Sequence, residues 1–187
     1  MRRALLAAAC AALATTASIQ AATFAVPKDR DFVRRAEAIV VATALDSYTR
    51  LDENGAIDTV TNLTVEEVIK GSIKGSTLEI HEPGGIYKDR ITMIPGVPRF
   101  NDGARMLLFL VHTEGGWRVA ELVLGKFTFS PGRSGRKLLM RDDDAIEGWE
   151  SDGKPYEGGA RTATEFLKFV RTEAAGGMGV EDYRVDE

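Results

Sequence analysis

The stretch Ala38-Ile39-Val40-Val41-Ala42-Thr43-Ala44-Leu45 decides the fold class. It is apolar and rich in β-branched residues, which marks a buried strand. Downstream, Asp52-Glu53-Asn54-Gly55 reads as a turn, because Asn-Gly accepts positive φ at little cost. The next segment alternates. Ile57, Leu63, Val65 and Ile69 share one face with Thr59 and Thr61 between them, while Asn62, Thr64 and Glu66 take the other. A half-buried strand needs this period of two. The turn is therefore predicted to join the two strands as a hairpin.

The pattern continues outward. Thr77 to His81 predicts a third short strand with Leu78 and Ile80 pointing one way, ended by Pro83-Gly84-Gly85. Residues 86–103 are a long excursion, with Ile86 to Ile94 as a hairpin arm. Pro95-Gly96, Pro98 and Asn101-Asp102-Gly103 supply its turn chemistry. Met106-Leu107-Leu108-Phe109-Leu110 is apolar on both faces, as a central strand must be. Glu114-Gly115-Gly116 then turns the chain into a strand from Trp117 to Leu124. Phe127 and Phe129 lie on a last strand, and Lys137 to Met140 on a minor one.

Two helices flank these strands. Asp29 to Ala36 is a short one with Asp29 or Asp31 as its cap. Thr162-Ala163-Thr164-Glu165 has the form of a capping box, and Phe166, Phe169 and Val170 follow at helical spacing. After Ala175 the chain is Gly-rich and then acidic, so residues 175–187 are expected to form a flexible tail. Short strands, Gly-rich turns and flanking helices make a mainly β fold. The strand count fits an OB-like five-stranded barrel, with one single domain over residues 26–174.

The N-terminus bears on compartment. Met1-Arg2-Arg3 precedes an uncharged stretch, Ala4 to Ala14, and a small-residue exit, which are the three parts of a secretory signal peptide. The stretch is shorter than the ~20 residues of a membrane-spanning helix. Residues 1–25 are taken as the signal, cut after Ala25 or, alternatively, after Ala22. The expected product is exported, periplasmic or extracellular, and free of the membrane. Cys10 lies inside the signal, so no disulfide, thiol nucleophile or thiolate metal site is expected. Removing residues 1–25 takes Arg2 and Arg3 and no acid. That leaves 22 basic against 28 acidic side chains, a net charge of −6. An acidic balance opposes a nucleic-acid partner.

Four segments carry a resemblance. They are Ala36 to Val41, Val65-Glu66-Glu67-Val68-Ile69-Lys70-Gly71, Pro98-Arg99-Phe100 through Gly103 to Leu110, and Gly125-Lys126-Phe127. Together, over residues 32–130, the chain resembles the small OB-like domains of uncharacterised exported bacterial proteins. Those domains are in turn similar to netrin-like and metalloproteinase-inhibitor folds. Family members commonly place Glu before the Arg of the Gly-x-Arg segment, where this chain has Ala104 before Arg105. The resemblance implies a binding module, either free-standing or accessory to exported peptidases. It implies no catalytic residues, and the inhibitor mechanism needs an N-terminal cysteine that the mature chain lacks.

Chemistry is sparse. His81 and His112 are the only histidines, and His81-Glu82-Pro83-Gly84-Gly85 lacks the second histidine of a helical zinc motif. Gly132-Arg133-Ser134-Gly135 misses the nucleophile-elbow spacing. Asp142-Asp143-Asp144, with Glu147, Glu150 and Asp152, matches no standard calcium loop. Trp117, Phe127 and Phe129 read as core residues before they read as a base-stacking surface. No catalytic residue, metal or cofactor is therefore expected. The function expected first is a non-catalytic, protein-binding module, with a small secreted hydrolase centred on His81 or His112 as the alternative. The expected binding surface is the excursion, through Gly84, Gly85, Tyr87, Arg99 and Phe100, because long structured loops carry the recognition of small scaffolds. The sequence leaves the oligomeric state open.

Overall fold

The computed structural model describes residues 23–141, 147–150, 153–156 and 158–185. In chain order the elements are β1 (Thr23–Val26), α1 (Asp29–Arg35), β2 (Ala38–Leu51), β3 (Ile57–Lys70) and β4 (Thr77–Pro83). Next come β5 (Gly85–Tyr87), β6 (Arg90–Thr92), β7 (Arg105–Thr113), β8 (Gly116–Val119), β9 (Lys126–Pro131) and β10 (Lys137–Arg141). The last are β11 (Glu147–Glu150), β12 (Ala160–Thr162), α2 (Ala163–Ala174) and β13 (Arg184–Val185). The fold is mainly β; the described residues hold two α-helices and one sheet of nine strands ordered β13-β12-β10-β9-β7-β2-β3-β4-β8. β1 with β11, and β5 with β6, form two separate ribbons.

The predicted hairpin is the longest pairing. β2 and β3 run antiparallel from Ile39↔Lys70 to Leu51↔Ile57, and Asp52 Oδ1 closes the turn on the N–H groups of Asn54 and Ala56. β7 is central, as its two-sided apolar sequence requires. It pairs with β2, β8 and β9. β8 in turn meets β4 in parallel at Ile80↔Trp117. Successive pairings thus lead from β2 through β3, β4, β8 and β7 back to β2.

Alternation on β2 and β7 builds two cores. Ala38, Val40, Ala42, Ala44, Met106, Leu108 and Leu110 join Leu63, Leu78, Ile80 and Val119 on one side of the sheet. Ile39, Val41, Leu107 and Phe109 join Phe127 and Leu139 on the other, where Phe32 and Val33 of α1 and Phe166, Phe169 and Val170 of α2 cover them. Each fully buried Leu, Ile or Phe contributes about 1.5–3 kcal/mol. The single face expected along β3 is not kept. Leu63 and Val65 belong to the first core and Ile69 to the second. Two of the three register irregularities between β2 and β3 fall along Val65 to Lys70 and re-aim the strand there.

Several local expectations change for identifiable reasons. The strand expected from Trp117 to Leu124 stops at Val119. Glu121 and Leu122 adopt positive φ (54° and 59°), and Leu122–Gly125 forms a 3-10 turn. That turn lets Ala120 N–H reach Phe109 O at 2.8 Å. Neither helix is capped as expected. Lys28 and Thr162 hold the N-cap positions without a side-chain cap bond. Thr162 belongs to β12, and its N–H donates to Tyr183 O at 2.7 Å. The segment expected as a flexible tail contains β13 and Tyr183, which is buried against Phe166 and Phe169.

Asp29 is withdrawn from capping because it is buried in an ionic cluster. Its carboxylate accepts Arg161 Nε and Nη2, both at 2.9 Å, the Tyr183 hydroxyl at 3.1 Å and Arg141 Nη2 at 3.3 Å. Burial alone would raise the Asp29 pKa, but the Arg161 and Arg141 charges outweigh it and hold the carboxyl below its usual range. Both guanidinium groups also lie over the Phe127 ring, at 4.6 and 4.8 Å.

Two outcomes are expected. Asp29→Asn should cost about 3–5 kcal/mol, because Arg161 and Arg141 would be buried without their counter-ion. A urea midpoint unchanged from wild type would refute this. Separately, a chain starting at Thr23 keeps β1 whole, while one starting at Val26 loses three of its four residues. The shorter chain should melt at least about 2 °C lower, which corresponds to under about 1 kcal/mol in a chain of this size. Equal melting temperatures would show that β1 adds nothing.

Candidate binding groove

The excursion after β4 folds back as a flap. Gly84 N–H donates to Ile57 O at 2.7 Å, and the Thr49 and Thr59 hydroxyls donate to Ile86 O and Gly84 O, both at 2.6 Å. Two glycines make this close approach possible. Gly84 (φ 95°) and Gly85 (φ 126°) lie in the left-handed half of conformational space. A Cβ on Gly85 would sit 2.5 Å from Thr59 Oγ1, and one on Gly84 would sit 2.7 Å from Thr92 O. From there β5 and β6 form a short antiparallel ribbon, and the chain returns along Pro95 to Phe100. Val123 N–H fastens the returning arm through Gly96 O at 2.8 Å.

Between flap and sheet lies a half-open groove of about 760 Å³. That volume is in the range of small-molecule pockets. Its walls are largely apolar, with Ile86, Ile91, Met93, Ile94, Val97 and Phe100 on the flap side. Ser47, Thr59, Thr61 and Glu82 stand on the sheet side. The apolar surface continues outside the groove, since Ile86, Ile91 and Met93 are 63 %, 65 % and 74 % exposed. Ile86 and Ile91 are register partners across the β5–β6 ribbon.

Of the five residues expected at the binding surface, Gly84, Gly85, Arg99 and Phe100 line the groove. Arg99 is exposed at the rim, and Phe100 packs on the sheet core with Lys126 Nζ 5.7 Å from its ring centre. Tyr87 is not among the lining residues. It sits on β5 under the Lys88 ammonium, 5.3 Å from the ring centre.

Glu82 is the residue that sequence reasoning passed over. It is 3 % exposed and lines the groove. Its Oε1 accepts Val119 N–H at 2.8 Å, one step beyond the single Ile80↔Trp117 pair, so the carboxylate extends the β4–β8 seam where backbone pairing ends. The signal was available, because the period of two that places Leu78 and Ile80 inward also places Glu82 inward. Burial pushes its pKa up to about 7; the Asp58 charge adds to this, and the Val119 N–H and Arg118 act against it.

The histidines occupy other places. His81 is buried on the opposite face of β4 from Glu82. Its Nδ1 lies 3.1 Å from Asp58 Oδ2 and 3.2 Å from Arg50 Nη2, and its Nε2 lies 3.7 Å from Glu79 Oε2. Asp58 Oδ1 is buried with no hydrogen-bond partner. His112 is exposed and meets the Trp117 ring edge-on at 5.0 Å. Gly132 to Gly135 forms a 3-10 turn over Arg133–Gly135. The acidic run Asp142 to Asp144 lies outside the described residues. Glu150, further along, pairs with Arg184 at 3.6 Å. Among the described residues, no three His, Cys, Asp or Glu side chains are placed to hold a metal ion.

Comparisons with protein-family models, with curated proteins and with solved structures find no match to this chain.

The raised Glu82 pKa gives stability a pH dependence. The folded state holds this proton more tightly than the unfolded chain, whose value is 4.5. The group's contribution is full below that pH and is lost as pH rises through about 7. Between about pH 5 and pH 8 the wild type should lose roughly 3 kcal/mol from this source. Glu82→Gln keeps an acceptor for Val119 and should flatten that slope in denaturant titrations. A slope unchanged by the substitution would disprove the assignment.

Proposed function

We propose that this chain is an exported, non-catalytic binding module of the OB-like class. The circuit β2-β3-β4-β8-β7 supports the class, since five strands returning on themselves match the strand count of a small, partly open Greek-key barrel. Strands β9, β10, β12 and β13 extend the sheet beyond that unit, and the two helices cover the extension. The signal-like N-terminus supports export, and the compartment is the periplasm or the medium.

Within that class, the particular role is to hold an apolar segment of an exported protein partner. A peptidase is the partner class that the resemblance implies. The observation that carries this reading is the groove of about 760 Å³, whose apolar wall runs without a break into the exposed side chains of the flap. Ile91 and Met93 line the groove yet stay mostly exposed, so a chain segment crossing it covers more of both than a small ligand inside it. The hydrolase reading has the His81–Asp58 pair in its favour. Among the described residues the polar partners of His81 are Asp58, Arg50 and Glu79, none of which carries a hydroxyl or thiol to serve as nucleophile.

Fluorescence anisotropy with labelled apolar decapeptides tests the binding role. Micromolar binding is expected, weakened at least tenfold in an Ile91→Asp, Met93→Asp double variant whose melting temperature is unchanged. Failure of every peptide to bind, or binding indifferent to the double variant, would overturn it.

A further inference from the structure

We infer that the groove accepts a partner segment bearing one lysine, whose ammonium docks on the Glu82 carboxylate at the groove floor. This rests on reading the groove as a protein-binding site, and it names the chemistry that site selects.

The hydroxyls of the floor each have a partner within the protein. The Thr59 hydroxyl donates to Gly84 O at 2.6 Å, and Ser47 Oγ and Thr61 Oγ1 face each other at 2.9 Å. Glu82 spends Oε1 on Val119 N–H. Its Oε2 makes no hydrogen bond within the described residues, and Glu82 lines the groove. Arg118 on β8 lies near enough to favour the carboxylate but donates no hydrogen bond to it, and Asp58 on β3 adds negative charge.

Each kind of guest meets this arrangement differently. A wholly apolar segment would seal Oε2 away from water with nothing in return, which is the costly way to bury a carboxylate. An acidic segment would meet the Glu82 charge. A lysine supplies donors to Oε2 while its methylene stem lies along Ile94, Val97 and Phe100. Arg99, exposed at the rim, disfavours a second basic side chain, so the match is to one lysine in an apolar context rather than to a polybasic run.

The test uses three acetylated, amidated peptides of one apolar sequence with Lys, Gln or Glu at the centre. They are titrated at pH 8 against the chain from Thr23, alongside octylamine. The Lys peptide should bind at least tenfold more tightly than the Gln peptide, and the Glu peptide more weakly still. Glu82→Gln should erase the Lys preference. A Lys peptide no tighter than the Gln peptide, or a preference that survives Glu82→Gln, overturns the inference. Octylamine binding as tightly as the Lys peptide would also overturn it, in favour of a small-amine site. If all three peptides bind alike and Ile91→Asp, Met93→Asp abolishes them, the groove reading stands and the Glu82 assignment falls. If no peptide binds, both fall. The wild-type comparison is decisive even if Glu82→Gln fails to fold.

Discussion

The bidentate pair between Asp29 and Arg161 is the constraint on which the assembly of the layers depends. One carboxylate at the start of α1 gathers Arg161 from β12, Arg141 from β10 and Tyr183 from the segment before β13. Those residues lie more than a hundred positions downstream, so the cluster fixes the first helix against the last strands. The geometry explains why a buried charge is tolerated. Asp29 has two donors in a planar fork, the guanidinium faces rest on Phe127, and Phe32 and Phe166 close the surroundings. Two cations to one anion leave a positive excess. Burial and the neighbouring Arg161 charge accordingly lower the Arg141 pKa, while the Asp29 pair raises that of Arg161.

The other side of the sheet follows a different logic. There the β2–β3 hairpin is bent by three register irregularities, which lets its far end serve a new purpose. Near Leu63 and Val40 it contributes aliphatic core, and further along, Ser47, Thr59 and Thr61 present hydroxyls to the groove. The flap closes over those hydroxyls because Gly84 and Gly85 allow the backbone to touch the sheet. Glu82 stands where the two regimes meet. It fastens the end of β8 and at the same time leaves one oxygen for a guest, so an ionisable group sits where an aliphatic residue would give a more stable seam.

Much of this was legible in the chain itself. The period of two located β2, β3, β4 and β7, and two-sided apolarity made β7 central. Phe166, Phe169 and Val170 located α2 and its buried face. What misled was local chemistry taken in isolation. Asp29 and Thr162 look like caps because their side chains suit that task, but a buried arginine and a strand partner compete for them and win. The apolar run from Trp117 to Leu124 looks like one strand because positive φ at Glu121 and Leu122 has no sequence signature in non-glycine residues. Tyr183 lies in a Gly-rich, acidic region whose composition gives no sign of its burial.

The β-class of the fold, the helix positions and the excursion that carries the groove are written in short-range periodicity and turn chemistry. That Asp29 meets Arg161 and Glu82 meets Val119 beside an apolar groove follows from the folded chain alone. Those meetings depend on pairing register and on chain reversals between distant residues, and no local pattern encodes which buried charge will find which partner.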